Sequence, residues 1–191
     1  DIYQGDFLLI TGPNGGGKTS LLRTILRLQS PTKGQITFFR QGEPVSSLDM
    51  GYLPQKNSID SRFPITVEEV VASGLMGNTQ KGNTKFDSKK EIDEMLDLMG
   101  ITALRNKPIG VLSGGQLQRS LFGRALISKP EMLILDEPAS YIDRQFGNRM
   151  FEILRDLSSN GTTIMMVSHE IEPFITLSNR NLYINHILGD R

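Results

Sequence analysis

The chain has 191 residues, enough for one domain with a substantial core or for two fused lobes. Its 21 Lys+Arg balance 21 Asp+Glu, so no net charge favours a nucleic-acid partner, and a hydrophobic content of 38% fits a soluble globular protein. The absence of cysteine excludes disulfides and thiolate metal sites, no apolar run approaches the roughly 20 residues of a spanning helix, and no basic-then-apolar signal segment opens the chain, so any membrane role must come through a partner.

Phe7 to Thr11 reads as a buried strand that runs into Gly12-Pro13-Asn14-Gly15-Gly16-Gly17-Lys18-Thr19. Lys18 to Leu28 then reads as a helix with Leu21, Leu22, Ile25 and Leu26 on one face. The intervening segment fits G-x-x-x-x-G-K-[ST]. Crowded phosphate oxygens need many donors close by. Glycines let backbone N–H groups approach, and the helix N-terminus adds the positive end of its dipole. Lys18 supplies charge to the β and γ phosphates, and the Thr19 hydroxyl can ligate Mg²⁺.

Ile36 to Phe39 and Gly51 to Leu53 are short strand candidates, and Gln55 follows the second. Thr66 with Glu69 forms a capping box that opens a helix using Val67, Val70 and Val71. Lys81 to Lys90 reads as a solvated, lysine-rich loop. Ser88 with Glu91 is a second capping box, expected to open a helix whose Ile92, Met95, Leu96 and Met99 share a face and which Gly100 stops.

Leu112-Ser113-Gly114-Gly115-Gln116 is the sharpest signal. Ser113 and Gln116 form a third capping box on a helix carrying Leu117, Leu121 and Ala125, and a serine with two glycines at a helix N-terminus makes a second anion cradle. One chain cannot easily fold that cradle onto its own γ-phosphate from across a second lobe. Two chains arranged head to tail can each supply it to the other.

Met132 to Leu135 is an apolar run of the kind buried in a parallel sheet, and Asp136 and Glu137 end it at the edge where such sheets bind ligands. Alternation along a strand would turn one carboxylate toward Mg²⁺ through water and the other toward an attacking water. Asp143 is placed to cap a helix using Phe146, Met150, Ile153, Leu154 and Leu157. Thr162 to Val167, closed by His169, and Leu182 to Leu188 are the last strand candidates, and the methionines at helical spacing read as core. Strands dominate both ends and helices fill the middle. The expected fold is α/β, with a parallel-sheet core from about 1–55 and 127–191 and a helical lobe inserted from about 56–126.

Taken together, these motifs resemble those of the nucleotide-binding subunits of ABC transporters, over essentially the whole length. The resemblance implies a P-loop NTPase (RecA-like) core, an inserted α-helical subdomain and an ATP-sandwich dimer. It makes Gly12, Pro13, Asn14, Gly15, Gly16, Gly17, Lys18, Thr19 and Ser20 the nucleotide-binding loop, and Met132 to Glu137 the Walker B strand. Ser113, Gly114, Gly115 and Gln116 become the signature, acting in trans, and Asp143 belongs to the D-loop. Glu137 is then the general base or water-orienting group, with Gln55 and His169 as further catalytic residues. Thr19, Gln55 and Asp136 would hold Mg²⁺. The partners implied are a second ATP-binding subunit, an integral membrane permease and, indirectly, a substrate-binding protein, at the cytoplasmic face of the membrane.

Two departures from the family pattern stand out. Only 17 residues precede Lys18, too few to include the aromatic residue that stacks on adenine in the family, and Tyr3 is close to the loop in sequence. Tyr141 is bulkier than the small residues common at its position.

Among soluble ABC-type ATPases, DNA-repair relatives separate the two nucleotide motifs by a long coiled coil, whereas here about 95 residues without sustained heptads lie between Lys18 and Ser113. Translation-factor relatives carry two such domains in one chain. A transporter motor is therefore expected. The segment from Asp60 to Gly74, and Leu182-Tyr183-Ile184-Asn185-His186, resemble the zinc/manganese-type metal importers. Import of another small solute, such as an iron chelate or cobalamin, and a soluble ATPase of iron–sulfur assembly remain the alternatives.

Overall fold

The computed structural model describes residues 1–55, 64–76, 85–169 and 172–185. Five strands, β1 (Phe7–Thr11), β4 (Met50–Leu53), β5 (Met132–Asp136), β6 (Thr163–Val167) and β7 (Arg180–Tyr183), form one sheet in the order β4-β5-β6-β1-β7, with every neighbouring pair parallel. A two-stranded antiparallel hairpin, β2 (Phe38–Arg40) and β3 (Glu43–Val45), stands beside it.

Alternation along the strands divides the core between the two faces of the sheet. Leu8, Ile10, Met132, Ile134, Met165 and Val167 pack with Leu22 and Ile25 of α1 (Lys18–Ile25) and with Phe38 of the hairpin. Phe7, Leu9, Leu133, Leu135, Ile164 and Met166 pack on the other face with α4 (Gly114–Leu126) and α5 (Arg144–Ser159). β5 and β6 are buried along their whole length, which explains why they read as unbroken apolar runs.

The helices α2 (Val67–Ser73) and α3 (Lys85–Leu98) join α4 through Val67, Val70, Val71, Ile92 and Leu96, with Met99 just beyond α3, in a cluster continuous with the far face of the sheet. The inserted helices and the sheet thus share one apolar interior. α2 opens on the Thr66–Glu69 capping box and α4 on the Ser113–Gln116 box, while Asp143 caps α5 by accepting from Phe146 N–H at 2.9 Å. A short helix, α6 (Glu172–Ile175), precedes β7.

Several elements differ from their sequence reading. α1 stops at Ile25 rather than Leu28, because Arg27 turns left-handed (φ 57°) and Leu28 N–H closes back on the Arg23 carbonyl at 2.9 Å. This is a Schellman-type end built without glycine. α3 starts at Lys85, so the 85–90 part of the expected loop is helical and Ser88 and Glu91 lie within the helix rather than capping it; no Gly or Pro between Lys85 and Ser88 stops the helix from extending upstream. β3 had no separate sequence signal. The last strand begins at Arg180, and the 186–188 part of its expected range lies outside the described residues, as do His186 and residues 60–63 and 81–84.

Candidate nucleotide site

Because the sheet is parallel, the carboxyl ends of β1, β4, β5 and β6 all emerge at one edge. Each delivers a functional segment there: the glycine loop after β1, Gln55 after β4, Asp136 and Glu137 at β5, and His169 after β6. These segments line one cleft of about 180 Å³, bounded by Asn14 to Ser20, Gln55, Asp136, Glu137, Val167 and His169.

The glycine loop is shaped by close approach. At Gly12 (φ 138°) a Cβ would stand 1.9 Å from the Ile184 carbonyl oxygen, so no side chain fits between the loop and the chain leaving β7. Gly17 takes a left-handed conformation (φ 96°) immediately before α1 and so aims the helix N-terminus into the cleft. Lys18 is buried, and its ammonium donates to the Gly12 and Pro13 carbonyls, each at 2.9 Å. Thr19 Oγ1 donates to Asp136 Oδ2 at 2.9 Å.

Asp136 and Glu137 diverge for a reason that differs from the expected one. β5 ends at Asp136, and Glu137 leaves the strand in a left-handed conformation (φ 54°), held by its N–H donating to the Val167 carbonyl at 2.9 Å. A non-glycine residue pays strain of roughly 1–3 kcal/mol for such backbone, and strain of this kind concentrates at functional sites. The turn sends the Glu137 carboxylate toward the end of β6, where the backbone N–H of His169 reaches Oε2 at 3.4 Å and His169 Nε2 stands 3.2 Å from Oε1. That second contact is an ion-pair distance without hydrogen-bond geometry.

Burial pushes both carboxyls above their ordinary range. For Asp136 the Thr19 hydroxyl and the charges of Arg23 and Lys18 partly oppose it; for Glu137, His169 and Lys18 do so while the Asp136 charge adds to it. Asp136 Oδ1 is buried with no partner. An orphaned carboxylate oxygen beside a threonine hydroxyl is a hard-oxygen donor set of the kind Mg²⁺ takes, so these residues fit that cation.

Ser113, Gly114, Gly115, Gln116 and Asp143 do not line this cleft. Ser113 and Gly114 are exposed at the start of α4, and the Gln116 side chain is engaged in the cap, accepting from Ser113 N–H at 3.0 Å. Asp143 pairs with Arg119 of α4. Tyr3 precedes β1 and so lies at the opposite edge of the sheet from the glycine loop, with its ring 5.8 Å from the Arg180 guanidinium, which also pairs with Asp6 at 2.7 Å. It belongs to a structural cluster and does not stand in for an adenine-stacking residue. The packing of the Ile184 backbone against the loop, and the roles of Gln118 and Arg119 on α4, have no counterpart in the sequence reading. Gln118 does leave a signal: it is an amide on the stripe shared with Leu121, Phe122 and Ala125.

A parallel sheet with a phosphate loop after its first strand, paired acidic residues at a neighbouring strand end and one converging cleft defines a P-loop nucleoside-triphosphatase. The sequence profile of the ABC transporter family matches residues 1–140. An ATP-binding protein of Chlamydia pneumoniae, named for a metal transport system, is 40% identical, with 98% of this chain and 77% of that protein covered. The zinc uptake system ATP-binding protein ZurA of Listeria monocytogenes is 37% identical, covering 98% and 73%. An ATP-binding cassette solved as a dimer in a post-hydrolysis state with ADP and Pi superposes with a TM-score of 0.82 at 26% identity, covering 97% of this chain and 83% of that one. A metal-chelate type ABC transporter in an inward-facing conformation gives 0.74 at 29% identity, covering 97% and 71%. The chain belongs to the ABC transporter family, as one of its ATP-binding, ATP-hydrolysing subunits.

Proposed function

We propose that this subunit works as half of a head-to-tail ATPase pair that drives import of a transition-metal ion of the zinc/manganese type. The cleft carries the enzymatic half of this reading: it joins the phosphate loop, the orphaned oxygen of Asp136 and the displaced carboxylate of Glu137. ATP would lie with its phosphates against the backbone N–H groups of Gly15 to Thr19, and Lys18 would exchange its loop carbonyls for β- and γ-phosphate oxygens. Thr19 and Asp136, with Gln55 of the same cleft, would hold Mg²⁺, which would supply positive charge against the phosphates. Glu137 orients a water and accepts its proton as the water oxygen bonds to the γ-phosphorus. The bond to the β–γ bridging oxygen breaks, and ADP and phosphate result. His169 steadies the γ-phosphate beside it. Ser113 with Gly114 and Gly115, open at the surface, would close over the partner's nucleotide, with Asp143 nearby at the same face.

On this reading residues of about 1–55 and 127–191 act as the nucleotide-gripping core, and about 56–126 as the lobe that meets a membrane permease. No helix among the described residues is long and apolar enough to cross a membrane, which suits a peripheral subunit at the cytoplasmic face. A substrate-binding protein would engage the permease rather than this chain, and the balanced charge gives no footprint for nucleic acid.

Metal import is supported by the names of relatives that align along nearly the whole chain. The test is uptake into vesicles by the complete importer purified from its host. ATP-dependent accumulation of zinc or manganese is expected. Uptake of an iron chelate or cobalamin with no response to either metal would contradict it.

A further inference from the structure

Gln118 is a polar side chain with 0% exposure on the apolar stripe of α4, and its Nε2 donates to the Pro138 carbonyl at 3.3 Å. Pro138 follows Glu137, so this bond fixes the far side of the left-handed turn that aims the catalytic carboxylate. The next residue on α4, Arg119, pairs with Asp143 and lies 4.5 Å from the Phe146 ring centroid. Between these two ties, Tyr141 crosses the first turn of α4, where a Cβ on Gly115 would stand 2.8 Å from the Tyr141 carbonyl. The stretch from Pro138 to Asp143 is therefore held against the first two turns of α4 at both ends and in the middle.

We propose that Gln118 is a positioning residue for Glu137, through which docking of the partner's nucleotide on Ser113 is sensed by the carboxylate of the same chain. This rests on the reading of Ser113 as a cradle that acts in trans. α4 is a rigid rod whose N-terminus would meet one ATP, while its side chain at 118 sets the residue that hydrolyses the other. A displacement of α4 moves the Pro138 carbonyl and with it the Glu137 turn. Each site would then fire when its own chain's signature is engaged, which couples the two hydrolysis events.

A buried glutamine that merely satisfies the core would affect stability and nothing else, so the experiment separates the two roles. In the complete transporter, Gln118→Met keeps length and packing but removes the donor. We expect kcat for ATP to fall about ten-fold, within the range that small misplacements of reacting groups produce. KM for ATP should stay unchanged and the Hill coefficient should drop toward one. If that variant fails to assemble, Gln118→Asn keeps the amide one methylene short, and the same split is expected. Wild-type kcat and cooperativity in an assembled variant would overturn the proposal, as would kcat and KM changing in step with thermal stability. With Ser113→Arg and Glu137→Gln impaired, a wild-type Gln118→Met overturns this inference alone. If those two variants are also wild-type, the reading of the site itself has failed.

Discussion

The Thr19 hydroxyl donates to the Asp136 carboxylate at 2.9 Å across 117 residues of sequence, tying the first turn of α1 to the end of β5. It leaves the second oxygen of Asp136 buried and unpartnered, on a residue that lines the cleft. Thr19→Val keeps the shape and removes the oxygen. Its ATPase activity should need about ten-fold more Mg²⁺ for half-maximal rate, on the scale of one lost charge-assisted contact. Magnesium titration of steady-state turnover checks this, and an unchanged midpoint would remove Thr19 from the cation site.

Lys18→Ala should weaken ATP binding about ten-fold or more, since a charge-assisted bond to phosphate contributes roughly 1.5–3 kcal/mol. Wild type and variant are titrated with nucleotide in one buffer. Equal affinities would mean that the buried ammonium stays on the Gly12 and Pro13 carbonyls and never turns to phosphate.

The parts of this site that could be read from the sequence are those set by local chemistry. The glycine loop, the two capping boxes at Thr66 and Ser113, and the Asp143 cap each depend on residues a few positions apart, and each forms as read. The placement of Glu137 could not be read. In its left-handed turn the Glu137 N–H bonds to the Val167 carbonyl, and the carbonyl of the next residue, Pro138, accepts from Gln118, partners distant in sequence. At Ser88 the local pattern is a valid cap, but the helix continues upstream to Lys85. Tyr3 is near the loop along the chain, yet β1 lies between them and carries the two to opposite edges of the sheet.

Ser113→Arg should leave ATP binding at the glycine loop intact and block closure of the pair. Ser113 is exposed at the start of α4 and absent from the cleft lining, so the added side chain disturbs no contact to the chain's own nucleotide. Light scattering of the variant with Mg-ATP should show no closed dimer. A dimer as stable as wild type would contradict a cradle acting in trans.

Burial raises the pKa of both Asp136 and Glu137. A carboxyl with a folded-state pKa above its unfolded value contributes stability below the unfolded value, and loses it as pH rises through the folded one. Near neutral pH both charges therefore weigh against the nucleotide-free fold. Asp136→Asn should melt higher than wild type at neutral pH, with the difference closing toward the acid end. Melting curves across pH check this, and a lower melting temperature for the variant at neutral pH would contradict it.

Hydrolysis by the Glu137→Gln variant in the complete transporter tests the assigned chemistry most directly. The amide preserves the shape beside His169 but is a far poorer proton acceptor. Turnover should fall by about 10²–10⁴-fold, the contribution of a positioned general base. ATP should still bind through Lys18 and Thr19, and the closed dimer should accumulate. Hydrolysis near the wild-type rate would show that Glu137 is not the group that activates water.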